Sequence, residues 1–474
     1  MNLLDELNAY RDSGVYPMHM PGHKRNPQLT PLIDIYGIDL TEIDGFDSLH
    51  GAKGLLKNAM SKAAALYDSD NTYFLINGST CGILSAVSSC VPRGGRVLMA
   101  RNCHQSVYNA LGIMQLDAVY IKPSQDAAFG INGSISPEEI RKALEEHEDI
   151  GLIIITSPTY EGVISHIESI AELAHERKIP LMVDEAHGAH LCFMPGLPAS
   201  SIDAGADIVI HGMHKTLPSP TQTALLHVNG GLVDTEEIRY QLAVFQSSSP
   251  SYPLMAGLDY CVSLLSERGT ELFERYVRRL HGFSQKMKSL SHLKILFKGR
   301  DEGGEHPHIY AFDPGKIVIS AANTDITGER LKEILLEKYK IQVEMAAGSY
   351  VLAMTSIADT DEGFDRLASA LIEIDSELSD RPTAEPVYCP VLERVMPIYR
   401  AQSEKAELVS FSQSAGRISG EYVYSYPPGI PLIVPGELIS EDFIDAIEMM
   451  QKQSVSLTST YGGMPTKIRV IEPA

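Results

Sequence analysis

Asp184 closes the apolar run at 179–183 and opens DEAHGAH (184–190), while Lys215 stands among Gly, His, Pro and hydroxyl residues in HGMHKTLPSPTQ (211–222). A lysine amine does covalent chemistry with a carbonyl only when it is positioned and partly neutralised, and burial after an apolar strand does both. A carboxylate at the end of a buried strand favours a cation placed beside it and raises that cation's pKa in turn. The pair suits an enzyme that uses pyridoxal phosphate (PLP). The lysine forms the Schiff base, and the aspartate keeps the pyridine nitrogen protonated so that the ring accepts electrons. Each residue alone has an ordinary reading, since many strands end in Asp and most lysines are solvated.

Further groups supply what such a site needs. Asn77-Gly78-Ser79-Thr80 joins an expected strand to an expected helix. Glycine lets the backbone approach a ligand, hydroxyls donate hydrogen bonds, and the helix start offers free N–H groups, which together make a phosphate cup. A simple N-cap has the same composition. His104, after RVLMA (96–100), offers an imidazole that stacks on a planar ring or merely caps the next helix. Ser157-Pro158-Thr159-Tyr160 follows GLIIIT (151–156), so Ser157 or Thr159 could reach a ring hydroxyl. His187 falls near the substrate, and His214 adjoins the lysine. Each feature has a bland alternative, but in chain order on successive strand ends they compose one site.

The elements that position these residues follow from hydrophobic patterning. From about Ser61 the chain alternates apolar strands (YFLI at 73–76, RVLMA, AVYI at 118–121, GLIIIT, PLMVDE, DIVIHG, TALLHV) with helices such as CGILSAVSSC (81–90) and PEEIRKALEEHE (137–148). Strands without alternation, separated by helices of about ten to fifteen residues, indicate an α/β fold with a mainly parallel sheet covered on both faces. Ligands collect at the carboxyl ends of such strands, where the polar motifs fall. Later, RYVRRLHGFSQKMKSL (275–290) reads as a long helix leaving the sheet. HIYAF, KIVIS and two helical segments at 328–339 and 363–378 form a smaller α/β unit, TAEPVYCP (383–390) a linker, and 391–474 a last segment.

At 474 residues the chain is expected to hold two or three domains. Its 44% hydrophobic and 21% charged residues are ordinary for a globular protein. No apolar run reaches about eighteen residues, which argues against a membrane span. The polar, acidic N-terminus is unlike a secretory signal. Six cysteines (81, 90, 103, 192, 261, 389) form no CxxC pair, and Cys81, Cys90 and Cys192 have apolar neighbours, so reduced, buried thiols in a cytoplasmic protein are expected. His187 with His190, or His211 with His214, lacks a third ligand, so no metal is expected. The net charge of −22 disfavours nucleic acid; it suits a cationic substrate, and solubility explains it equally well.

The motifs MPGHK (20–24), LTEIDGFDSLH (40–50), NGST (77–80), RNCHQSV (101–107), SPTYEG (157–162), DEAHGAH, HKTLPSPTQ (214–222), FQSSSPSYPLMAGLD (245–259) and YPPGIPLIVPGE (426–437) resemble those of the Orn/Lys/Arg decarboxylases, PLP enzymes of the aminotransferase fold (type I). The resemblance implies Lys215 as Schiff base, Asp184 at the pyridine nitrogen, and Gly78, Ser79 and Thr80 at the phosphate. It puts His104 over the ring, Ala186 beneath it and His214 beside the phosphate. It implies an N-terminal segment (1–60), a large PLP-binding domain (61–300), a small α/β domain (301–380) and a C-terminal decarboxylase domain (381–474). Members are dimers at least, with active sites at the subunit interface, so Ser248 in the Ser247–Ser249 loop is expected at the partner's phosphate. Three positions depart from the family pattern: Gly212 where Ser is common, Ser157 where Asn is frequent, and Gln105 where Lys is common. Because the family motifs begin by residue 18, the compact form without an N-terminal wing domain is expected.

The expected reaction is decarboxylation of a basic amino acid, arginine slightly favoured over lysine or ornithine because compact members include arginine decarboxylases. The product is an amine of the polyamine pathway. The substrate amine displaces Lys215, CO2 leaves, and Lys215 or His214 reprotonates Cα. Glu421 is the expected partner of the distal cation, with a surface glutamate as the alternative. Two other readings stay open. An aminotransferase or other PLP lyase would use a late arginine such as Arg400 or Arg417 for the α-carboxylate. A PLP-binding regulator that has lost catalysis is motivated by Gly212, Ser157 and Gln105.

Overall fold

The computed structural model describes residues 3–30, 35–296, 306–381, 388–425, 429–452, 455–464 and 466–472. Seven strands form the central sheet: β1 (Asn71–Leu75), β2 (Arg96–Ala100), β3 (Asp117–Ile121), β4 (Ile150–Thr156), β5 (Leu181–Asp184), β6 (Ile208–His211) and β7 (Ala224–Val228). Their order is β1-β7-β6-β5-β4-β2-β3. All pairs from β6 to β3 are parallel, while β7 runs antiparallel to both of its neighbours, β6 and β1. The run Leu152–Ile155 of β4 and the run Leu181–Val183 of β5 are fully buried, which explains their lack of alternation. Burying one such aliphatic side chain contributes about 1.5–3 kcal/mol.

Helices connect the strands much as the periodicity predicts. α1 (Gly78–Cys90), α2 (Gln105–Met114), α3 (Pro137–Glu146) and α4 (Ile167–His175) follow β1, β2, β3 and β4 respectively. α3 shows the local logic. Ser136 caps it by accepting from Glu138 N–H, Pro137 starts it, and Ile140, Ala143 and Leu144 are its buried stripe. The helix expected at 275–290 is the end of a longer one, Tyr252–Met287, whose first turn carries Pro253. Of HIYAF only Ala311–Phe312 is a strand, paired with Val163–Ile164 beyond the β4 turn.

A second, antiparallel sheet contains β8 (Lys294–Leu296), β9 (Lys316–Ser320), β10 (Met345–Ala347) and β11 (Tyr350–Met354) in the order β8-β9-β11-β10. The N-terminal segment, residues 1–60, includes a helix at Leu3–Asp12 and a strand at Tyr16–Met18 that pairs parallel with Ile341–Val343. The late residues build a core of their own around Phe411, Val423, Ile433, Phe443, Ile447 and Val470. Arg101, just past β2, ties that core to the sheet edge through Pro431 O (2.7 Å) and Glu437 (3.2 Å). Most of the linker expected at 383–390 and the YPP of YPPGIP lie outside the described residues.

Cys192 is exposed, against the expectation from its apolar neighbours, because the short turn Leu191–Phe193 sends Leu191 inward instead. No helix among the described residues is long and apolar enough to cross a membrane.

Candidate active site

The carboxyl ends of β1, β2, β4, β5 and β6 open on one edge of the sheet. Lys215 sits on a single helical turn, α5 (Met213–Thr216), directly after β6. Its Nζ lies 3.1 Å from His187 Nε2. Burial lowers the lysine's pKa, and the charges of Asp184 and then Glu344 oppose that fall. The fold therefore favours the free amine that captures a carbonyl. Asp184 ends β5, is 4% exposed, and accepts a hydrogen bond from Ala186 N–H at 3.2 Å. Burial pushes its carboxyl up and Lys215 pulls it back down. Its ionised form is thus favoured by any cation brought beside it.

His104 does what both of its readings say. It caps α2, with Nδ1 accepting from Ser106 N–H at 3.2 Å and lying 2.8 Å from Ser106 Oγ, and that capping fixes the ring. Burial, then the charge of Lys215, pushes its pKa down to about 4, so the imidazole is neutral. His214 is neutral too, brought to about 4 chiefly by burial. Its Nδ1 lies 2.9 Å from the carbonyl of Thr223, which only accepts, so Nδ1 carries the ring's proton. Nε2 is then a lone-pair acceptor. That tautomer removes His214 as a proton donor and leaves Lys215.

At the start of α1, Gly78 takes a left-handed φ of 75° and its N–H bonds Gln222 O at 2.9 Å. Ser79 Oγ is buried with no hydrogen-bond partner among the described residues. An orphaned hydroxyl in the first turn of a thirteen-residue helix is what an anion would satisfy. The Ser247–Ser249 loop lies beside this cup in its own chain, with Ser247 N–H bonded to Asn77 Oδ1 at 3.2 Å and Ser248 exposed.

Gly212 has a steric cause. A Cβ there would sit 2.6 Å from Ala186 O and 3.0 Å from Lys215 Cδ, so a serine would displace the lysine turn. Gly22 of MPGHK is equally constrained. Its N–H donates to His214 O at 2.8 Å, and a Cβ would meet Leu217 N and Thr216 C at 2.7 Å. Lys24 anchors the same loop by donating to His19 O (2.8 Å) and Met354 O (2.6 Å). Gly22→Ala is expected to cost about 1–3 kcal/mol by overpacking. Urea unfolding and the pH dependence of cofactor capture, measured together, check that the loss falls on the lysine turn.

Other expected residues serve different ends. Ser157 Oγ accepts from Ser165 N–H (3.1 Å) and Thr159 Oγ1 from Val163 N–H (3.2 Å), so these oxygens hold the turn after β4. Ala186 packs in the turn between Asp184 and Gly212, where its carbonyl accepts from Gly212 N–H at 3.2 Å. Glu421 does not join the site. It is 1% exposed, with its carboxylate taken by Arg469 N–H (2.6 Å) and Tyr461 N–H (3.1 Å) inside the C-terminal core. Three residues that the sequence reading passed over stand there instead. Lys316 Nζ lies 2.7 Å from His187 Nδ1, Tyr160 rests edge-on to His187, and Tyr160 OH donates to Glu344. A lysine heading the otherwise apolar KIVIS was the one available signal.

These residues fit PLP. The cup offers an unpaired hydroxyl and helix N–H groups to a phosphate, Asp184 a carboxylate to a pyridine nitrogen, His104 a fixed neutral ring, and Lys215 an amine. The sequence matches the family model for the Orn/Lys/Arg decarboxylase major domain over residues 2–320 and the model for the C-terminal domain of the same family over 387–466. An arginine decarboxylase of Bacillus anthracis is 33% identical over 441 residues, covering 90% of this chain and 88% of its own. An inducible lysine decarboxylase of Escherichia coli (strain K12) is 22% identical over 572 residues, covering 98% and 79%. The structure of lysine decarboxylase A from Pseudomonas aeruginosa superposes with a TM-score of 0.75 at 20% identity, over 95% of this chain and 77% of that one, and shares the fold.

Proposed function

The chain belongs to the Orn/Lys/Arg decarboxylase family, and it is an amino-acid carboxy-lyase of the PLP-dependent, aminotransferase-like fold. From that premise we propose that it converts arginine to the corresponding amine and CO2. The observation that carries the substrate is the similarity at 33% identity to an enzyme named arginine decarboxylase, against 22% to one named lysine decarboxylase. Incubating the protein and PLP with arginine, lysine and ornithine in turn tests it. CO2 and amine from arginine with the highest kcat/KM are expected; a preference for lysine or ornithine overturns the choice, and a keto acid product would point to an aminotransferase.

Bound here, PLP would supply the electron sink for the pair left when the Cα–carboxylate bond breaks. In this reading Lys215 would hold the cofactor carbonyl, Ser79, Thr80 and Gly78 would hold the phosphate, and Asp184 would keep the pyridine nitrogen protonated. His104 and Ala186 would contact its ring. Lys215 Nζ would carry the proton returned to Cα. His187 stands between this lysine and Lys316, and His214 presents the lone pair of Nε2.

Glu344 is our candidate for the distal cation. Its charge acts on Lys215, and its carboxylate accepts from Tyr160 OH and from Met20 N–H (2.8 Å), keeping lone pairs for a guanidinium. A charge-assisted bond of about 1.5–3 kcal/mol predicts that Glu344→Gln raises KM for arginine about 10- to 100-fold with kcat little changed. Steady-state kinetics on that variant decide it, and an unchanged KM removes Glu344 from substrate recognition.

A homodimer with shared active sites is supported by large apolar side chains left exposed beside the Ser247–Ser249 loop. Phe46 packs edge-on to Tyr252, His50 Nε2 meets Ser247 O at 2.9 Å, and Ile43, Phe46, Leu55 and Val244 are all exposed. We place the protein in the cytoplasm, in keeping with its six free cysteines.

A further inference from the structure

Lys316 opens β9 and is 1% exposed. Its Nζ contacts His187 Nδ1 at 2.7 Å and Met354 Sδ at 3.5 Å. The opposite nitrogen of that imidazole, Nε2, lies 3.1 Å from Lys215 Nζ. Two lysine amines therefore hold the two ends of one buried ring.

Burial, followed by the charges of Lys215 and Lys316, drives the His187 pKa far below its ordinary value, so the ring is neutral. A neutral imidazole has one N–H and one lone pair. If Lys316 is an ammonium, it donates to Nδ1. The ring's proton is then on Nε2 and faces Lys215, which must accept it as a neutral amine. If Lys215 is the ammonium, every donor and acceptor in the row reverses. Two ammonium groups would need lone pairs on both ring nitrogens, which a neutral ring does not have.

We propose that Lys215 and Lys316 share a single proton through His187, with Lys316 as the reservoir and His187 as the conductor. This rests on the reading above that Lys215 is the amine that carries the cofactor. The exchange is a paired shift: Lys316 Nζ gives a proton to His187 Nδ1 while His187 Nε2 gives its proton to Lys215 Nζ. One positive charge moves from Lys316 to Lys215, no bond between heavy atoms changes, and nothing is oxidised or reduced. Lys215 needs to be neutral to capture a carbonyl and protonated to return a proton to Cα. A neighbour that stores the proton lets one nitrogen do both. Lys316 acts only through the ring, so its role is positional.

The surroundings of Lys316 permit this. It is faced by Asp313 from the preceding turn, with His190 Nε2 3.1 Å from Asp313 Oδ2. Glu161 and Tyr160 face it from the loop after β4, Glu344 from the segment before β10, and Lys215 and His187 from the sheet edge. Burial outweighs these carboxylates and brings the lysine down to about 7, so its proton is mobile at neutral pH.

The test uses the cofactor-loaded, full-length protein and the pH midpoint of the visible absorption band that reports protonation at the Lys215 nitrogen. Lys316→Met removes a neighbouring cation and is expected to raise that midpoint by about one pH unit. Lys316→Arg installs a permanent cation and is expected to lower it. Opposite shifts cannot come from a packing defect, and unchanged midpoints in both variants overturn the proposal. Lysine 15N spectra of the wild type cover the case in which neither variant folds. One buried lysine should titrate near 7, against about 10.4 for surface lysines, and its absence overturns the proposal equally. A wild type that never shows the band refutes Lys215 as the cofactor amine, while the same spectra still decide the shared proton.

Discussion

Lys215→Ala is expected to give a folded protein without the visible band of covalently held PLP and with turnover lowered by about 10⁴-fold or more. Among the described residues nothing else at the end of β6 offers an amine to a carbonyl: His187 is a neutral ring, and Lys316 is separated from Lys215 by that ring. Stability should not suffer. The folded-state pKa of Lys215 lies below its ordinary value, so between the two values the unfolded chain binds more protons. Stability therefore rises with pH through that window, and the full penalty is present below it. Removing the lysine removes the penalty, so the variant should unfold at or above the wild-type denaturant midpoint at neutral pH. Absorbance, CO2 release and a urea curve check the three parts. A variant that keeps the band or the turnover would remove Lys215 from the chemistry.

Asp184→Asn is the second large effect. The amide keeps the shape and can still accept from Ala186 N–H, but it brings no charge to a pyridine nitrogen. Breaking a buried ion pair costs about 3–5 kcal/mol. At about 1.36 kcal/mol per decade, kcat should fall about 10²- to 5 × 10³-fold with the cofactor still attached to Lys215. Single-turnover kinetics on the loaded variant measure this directly, and a kcat within a few-fold of wild type would sink the role given to Asp184.

Much of this was legible before the structure. Runs such as GLIIIT and PLMVDE read as buried parallel strands because both of their faces are covered, and the polar motifs that follow them fell on the carboxyl edge without further information. The antiparallel course of β7 was not legible, since a strand buried on both faces has the same composition whichever way it runs. Candidate residues at or just past strand ends stood out where their type is chemically distinctive, as with Lys215, Asp184 and His104. Glu421 misled because a motif-adjacent carboxylate looks the same whether it meets a ligand or two backbone N–H groups. Lys316 comes from the second sheet and Glu344 from the segment just before its strand β10, and only long-range packing brings them to His187 and Tyr160. Gly212, a departure from the family pattern in the sequence, has its reason in the space beside Ala186 O, which only the fold shows.

The N-terminal docking has a consequence in time. Tyr16–Met18 waits for Ile341–Val343, Lys24 for Met354, and Gly22 for Ser356, whose Oγ donates to its carbonyl at 2.5 Å. During synthesis at about 5–20 residues per second, the first strand is exposed for on the order of tens of seconds before its partner is made. The loop that braces Lys215 is therefore among the first segments translated and among the last to find its place. A ribosome-bound chain stopped before β11 should hold the complete central sheet and lack the brace on its lysine turn.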